Sequence, residues 1–307
     1  MNTLSFIHDE LFLRHLNPPG HPERPDRLNA VIELLKQKAD WKDYDHLSPV
    51  PATEEQLSAV HTSDHIAALR RVCEAGGGML DEGDTHAVRE SFDIARLASG
   101  AVVVGVDAVL ARRSSAAFCA VRPPGHHATA NRPMGFCLFN NVAIGIRYAQ
   151  KNYKISKVAV VDWDVHHGNG TQEIFYNDPS ILFISLHQYP FWPGTGARSE
   201  RGKGPGEGFT LNIPLPAGTG EERYVRAFRE EVLPAIVDFS PELLMISAGF
   251  DAHRDDPLGG MKLTEESFAK FTRLLQIGVP IVSVLEGGYN LKALASSVQA
   301  HLRALSR

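Results

Sequence analysis

Short runs dominated by apolar residues, many of them β-branched, recur along this chain and alternate with segments of helical periodicity. The runs are Ala116 to Val121, Val158 to Val161, Ile181 to Leu186, Leu243 to Ser247 and Pro280 to Leu285. A strand that reads as a continuous apolar run is buried on both faces, which is typical of a parallel sheet covered by helices. The sequence therefore predicts an α/β fold of three layers, αβα, around a mostly parallel central sheet.

Apolar residues at helical spacing fill the intervals between these runs. We predict helices after Pro25 and over Thr62 to Ala75, Ser91 to Arg112, Phe139 to Gln150, Glu221 to Asp238, Thr264 to Gln276 and about Lys292 to Leu305. Because no internal repeat or linker interrupts the alternation, residues 1–307 are predicted to form one domain.

Two segments rich in glycine, proline or acidic residues lie outside this pattern. The first, residues 76–84, combines glycines with acidic side chains and is predicted to be a mobile surface loop. The second, Pro190 to Gly208, is either the wall of an active site or a disordered linker. The aromatic residues Tyr189, Phe191 and Trp192 favour the wall.

Composition excludes several classes of protein. A net charge of −5 over 307 residues, without a run of Lys or Arg, predicts no direct contact with nucleic acid. No stretch approaches the eighteen or so apolar residues that a membrane helix needs, and the N-terminus lacks the basic start and apolar run of a signal peptide. The chain has 3 cysteines and no CxxC pair, which fits a reducing compartment, and we expect a cytoplasmic protein.

The densest group of metal-binding side chains follows the run at Val158. Asp162, Asp164 and His166 alternate in sequence, and because side chains in extended backbone have a period of two, these three are expected to point the same way. Carboxylate oxygen and imidazole nitrogen both suit a divalent metal, zinc in particular. A lone Asp-x-Asp is usually a solvated loop, but several Asp and His residues at the end of a strand favour a metal or catalytic site.

Other predicted strands also end in polar residues. His126 and His127 follow the stiff segment 122–125 and are either surface residues or a presented catalytic pair. Asp251 either caps the next segment or completes a zinc site that leaves one position open for water. Tyr289 is either a core aromatic or a hydrogen-bond donor to a developing oxyanion. Because ligands of open α/β folds bind beyond the carboxyl ends of strands, the convergence favours the functional alternatives.

Motifs in a fixed order extend over almost the whole chain. They are Gly20 to Pro25, Arg122 to Ala128, Gly135 to Asn141, Asp162 to Gln172, Ser185 to His187, Pro193 to Gly196, Ser247 to His253, Asp256 to Gly259 and Glu286 to Tyr289. In kind and order they resemble the arginase–deacetylase superfamily, and within it the class II histone deacetylases and bacterial histone-deacetylase-like amidohydrolases. The resemblance implies a zinc-dependent deacylase that hydrolyses the amide of an acetylated, acetyl-lysine-like amine to acetate and free amine.

The resemblance also implies the metal ligands. Asp164, His166 and Asp251 match the ligands of a single Zn²⁺ per chain. It further implies a structural monovalent cation, K⁺, near Asp162, Asp164, His166, Ser185 and Leu186.

The proton-handling residues follow from the same resemblance. His126 and His127 match the tandem histidines, and Tyr289 matches the hydroxyl that polarises the scissile carbonyl. Asp162 would hydrogen-bond His126, and Asn169 would support His127. Class I relatives carry Asp at this last position. Because Asn has no charge, the second histidine is expected to be less readily protonated and to act as the base.

The resemblance assigns the walls of a substrate tunnel. Phe136 and Trp192 would enclose an acyl-amine stem, and Gly135 would allow the backbone to approach a ligand. Leu258 stands where the polyamine-deacetylating branch has a Glu that reads a second cation, which favours an acetyl-lysine-like or small acyl-amine substrate. Asp84, in an acidic loop, could instead attract a cation, so an acetylpolyamine amidohydrolase remains the alternative.

Two further alternatives remain open. A dimanganese ureohydrolase needs an Asp-x-His-x-Asp pattern, whereas this chain reads Asp164-Val165-His166-His167-Gly168. A catalytically silent acyl-amine binding module would lack a ligand, a tandem histidine or Tyr289, and the chain has all of them. The expected partner is a small acyl amine or an acetylated peptide or protein, and the oligomeric state is not specified by the sequence.

Overall fold

The computed structural model describes residues 4–306, apart from the side chain of residue 40, and within them it contains ten strands. In chain order they are β1 (Leu4–Ile7), β2 (Asp45–Leu47), β3 (Gly77–Met79), β4 (His86–Val88), β5 (Ala116–Cys119), β6 (Val158–Asp162), β7 (Ile181–Gln188), β8 (Thr210–Leu215), β9 (Leu243–Ala248) and β10 (Ile281–Leu285). Eight of them form one sheet in the order β2-β1-β5-β10-β9-β6-β7-β8. Every neighbouring pair in this sheet is parallel.

Helices flank the sheet, with α10 packed against both α1 and α9, and α4 packed on α5. The helices are α1 (Asp26–Lys36), α2 (Glu54–Ser58), α3 (Ser63–Glu74), α4 (Ser91–Leu110), α5 (Asn141–Tyr153), α6 (Asn169–Phe175), α7 (Glu221–Ala227), α8 (Leu233–Phe239), α9 (Glu265–Leu274) and α10 (Leu291–Leu305). Short 3₁₀ turns occur at Glu10–Arg14, Ala39–Asp43 and Gly204–Gly206. Among the described helices, none is both long and apolar enough to traverse a bilayer.

The continuous apolar runs form the centre of the sheet, and the prediction of a mostly parallel α/β fold is confirmed. Every residue of β5, β6, β9 and β10 is buried. Burial of one Val, Leu or Ile side chain contributes about 1.5–3 kcal/mol, so these runs determine which strands occupy the centre. The four strands are direct neighbours, in the order β5-β10-β9-β6. Their carboxyl ends therefore meet at one edge of the sheet.

Strands β1, β2 and β8 were not predicted from the sequence. β1 and β2 are only 4 and 3 residues long. β8 contains Pro214 and follows the segment rich in glycine and proline, features that indicate a loop. In the structure β8 is an edge strand that pairs with β7 alone, where a residue without an N–H group is tolerated. Residues 1–3 lie outside the described part of the chain, so the expectation that no signal peptide is present stays a prediction.

The predicted helix from Glu221 to Asp238 is confirmed as a continuous helical segment, in which a π-helical turn at Phe228–Val232 separates α7 from α8. Pro234 lies in the first turn of α8, and a proline cannot donate the backbone hydrogen bond of a continuous helix. The segment predicted to be a mobile loop, residues 76–84, instead begins with β3, which pairs with β4 in an antiparallel ribbon.

A buried ionic cluster attaches the N-terminal loops to the carboxyl end of β5. The Glu23 carboxylate accepts hydrogen bonds from the guanidinium groups of Arg122 and Arg27, and all three side chains are fully buried. Arg122 also donates to the carbonyl oxygens of Phe12 (2.9 Å) and His15 (3.0 Å). Burial alone would raise the pKa of Glu23, but Arg122 and then Arg27 outweigh it and lower this pKa to about 2.

We predict that Glu23→Gln lowers the free energy of unfolding by about 3 kcal/mol at pH 7, because it leaves buried guanidinium charge without its partner. The folded-state pKa of about 2 lies below the ordinary value of 4.5, so this contribution is complete above about pH 4.5 and declines as the pH falls towards 2. Urea unfolding of the unmodified protein and of Glu23→Gln across this pH range measures the contribution of Glu23 to the free energy of unfolding. Asp26→Asn, which removes only the exposed pair between Asp26 and Arg24, is the control and should cost less than about 1 kcal/mol. A stability difference that stays constant from pH 7 to pH 3 would contradict the assignment.

Candidate active site

The three predicted zinc ligands lie close together at the carboxyl edge of the sheet. Asp164 and His166 lie in the loop between β6 and α6, and Asp251 follows β9. Their ligand atoms all lie within 4.8 Å of one another. Nδ1 of His166 is 3.1 Å from Oδ1 of Asp164 and 3.1 Å from Oδ2 of Asp251. The structure therefore assembles two carboxylates and one imidazole around a common centre.

Asp162 does not join this group, which corrects the expectation that it points the same way as Asp164 and His166. β6 ends at Asp162, so the alternation of extended backbone does not continue through the following residues. The Asp162 carboxylate accepts a hydrogen bond from Nδ1 of His126 at 2.9 Å instead.

Backbone amides hold both cluster carboxylates in place. Gly287 N–H donates to Oδ2 of Asp164 (2.8 Å), and Val165 N–H donates to Oδ1 of Asp251 (2.7 Å). A Cβ atom on Gly287 would lie 2.2 Å from Oδ2 of Asp251 and 2.5 Å from Oδ2 of Asp164. Only glycine allows the backbone to approach this closely, so the amide reaches the carboxylate because Gly287 has no side chain.

The charges of the cluster fit a divalent cation. Burial raises the pKa of Asp251, and the neighbouring carboxylate of Asp164 raises it further, to about 7. Burial lowers the pKa of His166, but hydrogen bonds with the two carboxylates outweigh burial and raise it to about 10. Both pKa shifts arise because negative charge is concentrated in the cluster and water has little access to it. Two oxygen donors and one imidazole nitrogen are a donor set that zinc accepts, so Asp164, His166 and Asp251 are suited to hold it.

The tandem histidines lie beside the cluster with different partners. Nδ1 of His126 donates to Asp162, and its Nε2 is 3.8 Å from Oδ2 of Asp164. Nδ1 of His127 donates to Oδ1 of Asn169 at 2.8 Å. The centroids of the two rings are 3.9 Å apart. Asp162 and Asn169 thus contact the histidines for which they were predicted.

The surroundings of the two histidines favour opposite protonation states. Burial lowers the pKa of His126, but the charges of Asp162 and Asp164 outweigh burial and raise it to about 10. Burial holds the pKa of His127 well below its usual value, and the charge of His126 lowers it further. A neutral His127 that donates through Nδ1 keeps a lone pair on Nε2. One histidine is therefore a proton donor and the other an acceptor.

Tyr289 is held at the opposite side of the site by three contacts. Its N–H donates to Oδ2 of Asp256 (2.7 Å), its ring lies under the guanidinium of Arg27 (4.9 Å), and it meets the ring of Phe136 edge-on (5.9 Å). Burial raises the pKa of Tyr289 well above its usual value. The hydroxyl therefore stays protonated and able to donate a hydrogen bond.

A cavity of about 440 Å³ opens onto these groups. All five predicted tunnel residues line it, together with four residues near the cluster and one further glycine: Gly83, Asp84, His127, Gly135, Phe136, His166, Phe191, Trp192, Leu258 and Tyr289. A larger cavity of about 640 Å³ lies at the amino ends of β5 and β10, but none of its lining residues carries a carboxylate or imidazole. The smaller cavity is therefore the candidate substrate site.

Close packing makes the cavity narrow. A Cβ atom on Gly135 would lie 2.5 Å from Cδ2 of His127 and 2.6 Å from Cη2 of Trp192. Trp192 meets the His127 ring edge-on at 4.7 Å, and Phe191 stacks on His166 at 5.3 Å. The segment from Pro190 to Gly208 therefore contributes an aromatic wall to the cavity. Of the two alternatives predicted for it, this is the active-site wall.

The acidic loop is built into the other side of the cavity. Oδ1 of Asp81 accepts the N–H groups of Gly83 and Thr85 at 3.0 Å each. The Thr85 hydroxyl donates to Oδ2 of Asp81 and accepts the N–H of Phe136 at 3.0 Å. Phe136 has a φ of +68°, an uncommon conformation for a residue with a side chain. The loop therefore supports the backbone of a tunnel residue and presents Asp84 at the rim.

Several residues of the site were missed or given no role from the sequence. Phe191 is distinguished in the sequence only as one of three aromatics in its segment, and nothing around Arg27 indicates a place in the site. Glu286 and Asp256 lie within motifs that do not by themselves indicate a role for either residue. An acidic residue directly after an apolar run is a usable signal of a buried polar contact, and Glu286 occupies that position after β10. Nothing in the local sequence of Asp256 indicates that it accepts the N–H groups of Tyr289 and Leu258.

The chain matches the family model of the histone deacetylase domain over residues 21–305. A protein of Archaeoglobus fulgidus named a probable deacetylase is 40% identical over 300 residues, which cover 95% of this chain and 82% of that protein. The polyamine deacetylase HDAC10 of Homo sapiens is 40% identical over 316 residues, which cover 97% of this chain and 47% of that protein. The crystal structure of the HDA15 HD domain superposes with a TM-score of 0.96 at 39% identity, and the match covers 99% of this chain and 88% of that chain.

We predict that Asp251→Asn weakens zinc binding by about 10²-fold or more, because it removes a charged oxygen donor from a site with three protein ligands. Titration of metal-stripped protein with Zn²⁺, monitored by calorimetry, gives affinity and stoichiometry, and we expect one ion per chain. Asp178→Asn is the control: Asp178 pairs with Arg147 away from the site, and its substitution should leave zinc affinity unchanged. Equal affinity in the unmodified protein and the Asp251 variant would exclude Asp251 as a ligand.

Proposed function

The chain belongs to the histone deacetylase family, and from this premise we propose that it hydrolyses the amide of an acetyl-lysine-like amine, with one Zn²⁺ held by Asp164, His166 and Asp251. The observation that carries the proposal is the convergence of three chemically different groups on one cavity. His166 of the ligand cluster, His127 of the histidine pair and Tyr289 all line this cavity, and the other members of the cluster and the pair contact them. Amide hydrolysis needs each of these groups.

Bound zinc would supply Lewis acidity towards the amide carbonyl and lower the pKa of the attacking water to about 7. His127, neutral and with Nε2 free, would take the proton from that water as it attacks the carbonyl carbon. The Tyr289 hydroxyl would donate a hydrogen bond to the carbonyl oxygen as negative charge develops there. A protonated histidine of the pair would then give its proton to the leaving amine.

The cavity supports a linear substrate. Trp192, Phe136 and Gly135 restrict the space above His127, as an unbranched acyl-amine stem requires. Leu258 lines the rim with an apolar side chain, so it offers no partner for a second cation on the substrate. This favours an acetyl-lysine-like or other small acyl amine, free or within a peptide or protein.

One observation favours a second candidate, an acetylated polyamine. Asp84 also lines the cavity, and its carboxylate at the rim could attract a cationic chain. The likeness to a protein named a polyamine deacetylase is consistent with this alternative. Both candidate substrates would undergo the same amide hydrolysis. They differ in whether the residues at the rim of the cavity recognise a second cation on the substrate.

The remaining alternatives receive less support. A dimanganese site needs an acid two residues beyond His166, where Gly168 stands, and the side chain between them, His167, is bound to Thr195 and Gln172. A silent binding module is disfavoured because the three ligands lie together, both histidines contact their expected partners and Tyr289 lines the same cavity.

We also propose a structural monovalent cation, K⁺, beside the zinc site. Ser185 lies opposite Asp162 in the register of β6 and β7, and both side chains are buried. The resemblance assigns this cation to Asp162, Asp164, His166, Ser185 and Leu186.

The described cysteines are free and buried thiols, which is consistent with a cytoplasmic location.

We predict that the zinc-loaded protein hydrolyses an acetyl-lysine amide with a higher kcat/KM than an acetylated polyamine. Leu258→Glu should shift this ratio towards the polyamine by about tenfold, because it places a carboxylate within reach of the second cation. Tyr289→Phe should lower kcat on either substrate by roughly 10²–10³-fold. Acetate release measures all three.

Tyr148→Phe is the control, since the Tyr148 hydroxyl donates to Asp107 away from the cavity and its loss should leave kcat unchanged. A preference of the unmodified protein for the polyamine would refute the argument from Leu258. Full activity of Tyr289→Phe would refute the proposed mechanism.

A further inference from the structure

The segment between β10 and α10 begins with a buried carboxylate that contacts the tandem-histidine loop. Glu286 has 0% of its surface exposed. Its Oε2 accepts the N–H of Gly125 at 2.7 Å and the N–H of His126 at 3.2 Å. These contacts join residues 161 and 160 positions apart in the chain. The carboxylate therefore bonds the backbone of the histidine loop, leaving the imidazole rings free for other partners.

The rest of this segment contacts the other parts of the site. Gly287 N–H donates to Asp164, a proposed zinc ligand. The guanidinium of Arg27 donates to the carbonyl oxygens of Glu286 (2.5 Å) and Gly288 (2.6 Å). Tyr289 follows directly. Four consecutive residues thus connect the histidine loop, a ligand carboxylate and the tyrosine hydroxyl.

A buried carboxylate such as that of Glu286 lowers the stability of the fold unless both of its oxygens are hydrogen-bonded. Within residues 4–306, its Oε1 has no hydrogen-bond partner. Burial is also the main reason that the pKa of Glu286 rises to about 7. A buried polar atom without a partner destabilises the fold, so Glu286 supplies an acceptor to the two loop amides at the cost of an unsatisfied second oxygen. A role in the placement of the histidine loop explains why an acceptor stands here.

We propose that Glu286 is a positioning residue: by accepting the amides of Gly125 and His126, it fixes the tandem histidines relative to Tyr289. The inference rests on the proposed function, because the histidines act only in that chemistry. What positions the loop is the acceptor oxygen of Glu286. A side chain that keeps the oxygen should therefore keep the geometry.

The experiment compares Glu286→Gln, which retains an acceptor oxygen, with Glu286→Leu, which removes it. Glu242→Leu is the control, because Oε1 of the exposed Glu242 likewise accepts two backbone amides, those of Ser156 (2.7 Å) and Lys157 (3.2 Å), at the opposite end of the sheet. Each zinc-loaded variant is assayed for kcat, KM, zinc content and thermal unfolding. Amide hydrogen exchange at residues 125 and 126 is measured in parallel, since it reports the contact without any substrate.

We expect Glu286→Leu to lower kcat by about 10²-fold with KM within about twofold, since a misplacement of about 1 Å costs that much. Exchange at the two amides should become roughly tenfold faster or more. Glu286→Gln should keep kcat within about threefold and keep the amides protected. Glu242→Leu should lower stability and leave kcat unchanged.

Other results would overturn the proposal. Unchanged kcat in a folded, zinc-loaded Glu286→Leu would do so, as would a rise in KM at constant kcat. If Glu286→Leu does not fold, a loss of kcat and of amide protection in Glu286→Gln equal to about 10²-fold would show that the acceptor oxygen is insufficient. If the unmodified protein hydrolyses neither substrate, the proposed function fails, and amide exchange alone decides whether Glu286 holds the loop.

Discussion

Two carboxylates buried against one imidazole are the constraint on which the rest of this structure depends. Asp164 and Asp251 both face Nδ1 of His166, with little water to screen them. Two like charges this close together, with little water around them, destabilise the fold unless hydrogen bonds and a cation offset their repulsion. The hydrogen bonds come from the amides of Gly287 and Val165, which fix geometry without a formal countercharge. The countercharge would come from a protonated imidazole or, in the proposed holoenzyme, from the metal ion that takes the place of that proton.

The parallel sheet makes this concentration of charge possible. Strands β5, β10, β9 and β6 are neighbours and run in the same direction, so the residues after them meet at one edge. Their residues are all buried and mostly apolar, so most of the polar groups near these strands follow the strand ends. Around the cluster, the ionic contacts of Arg27 and Arg122 with Glu23 attach the N-terminal loops to the same edge. The stabilising ionic cluster and the candidate active site therefore lie at the same edge of the sheet.

The central strands and the residues at their ends could be predicted because both are local properties of the sequence. Apolar runs identify β6 and β9, and the polar residues that follow them identify Asp164 and Asp251. Edge strand β8 could not be predicted, because Pro214 is tolerated there only through its position in the sheet. Glu286 could not be given a role, because its partners lie some 160 residues earlier in the chain.

The central claim is that the ends of these strands form a single zinc site for amide hydrolysis. Diffraction from crystals of zinc-loaded protein, recorded on both sides of the zinc absorption edge, tests it most directly. We predict one anomalous peak per chain, within about 2.0–2.2 Å of Nδ1 of His166 and of one oxygen each from Asp164 and Asp251. Two peaks about 3.5–4 Å apart would indicate a binuclear enzyme. A single peak away from these three residues would contradict the account.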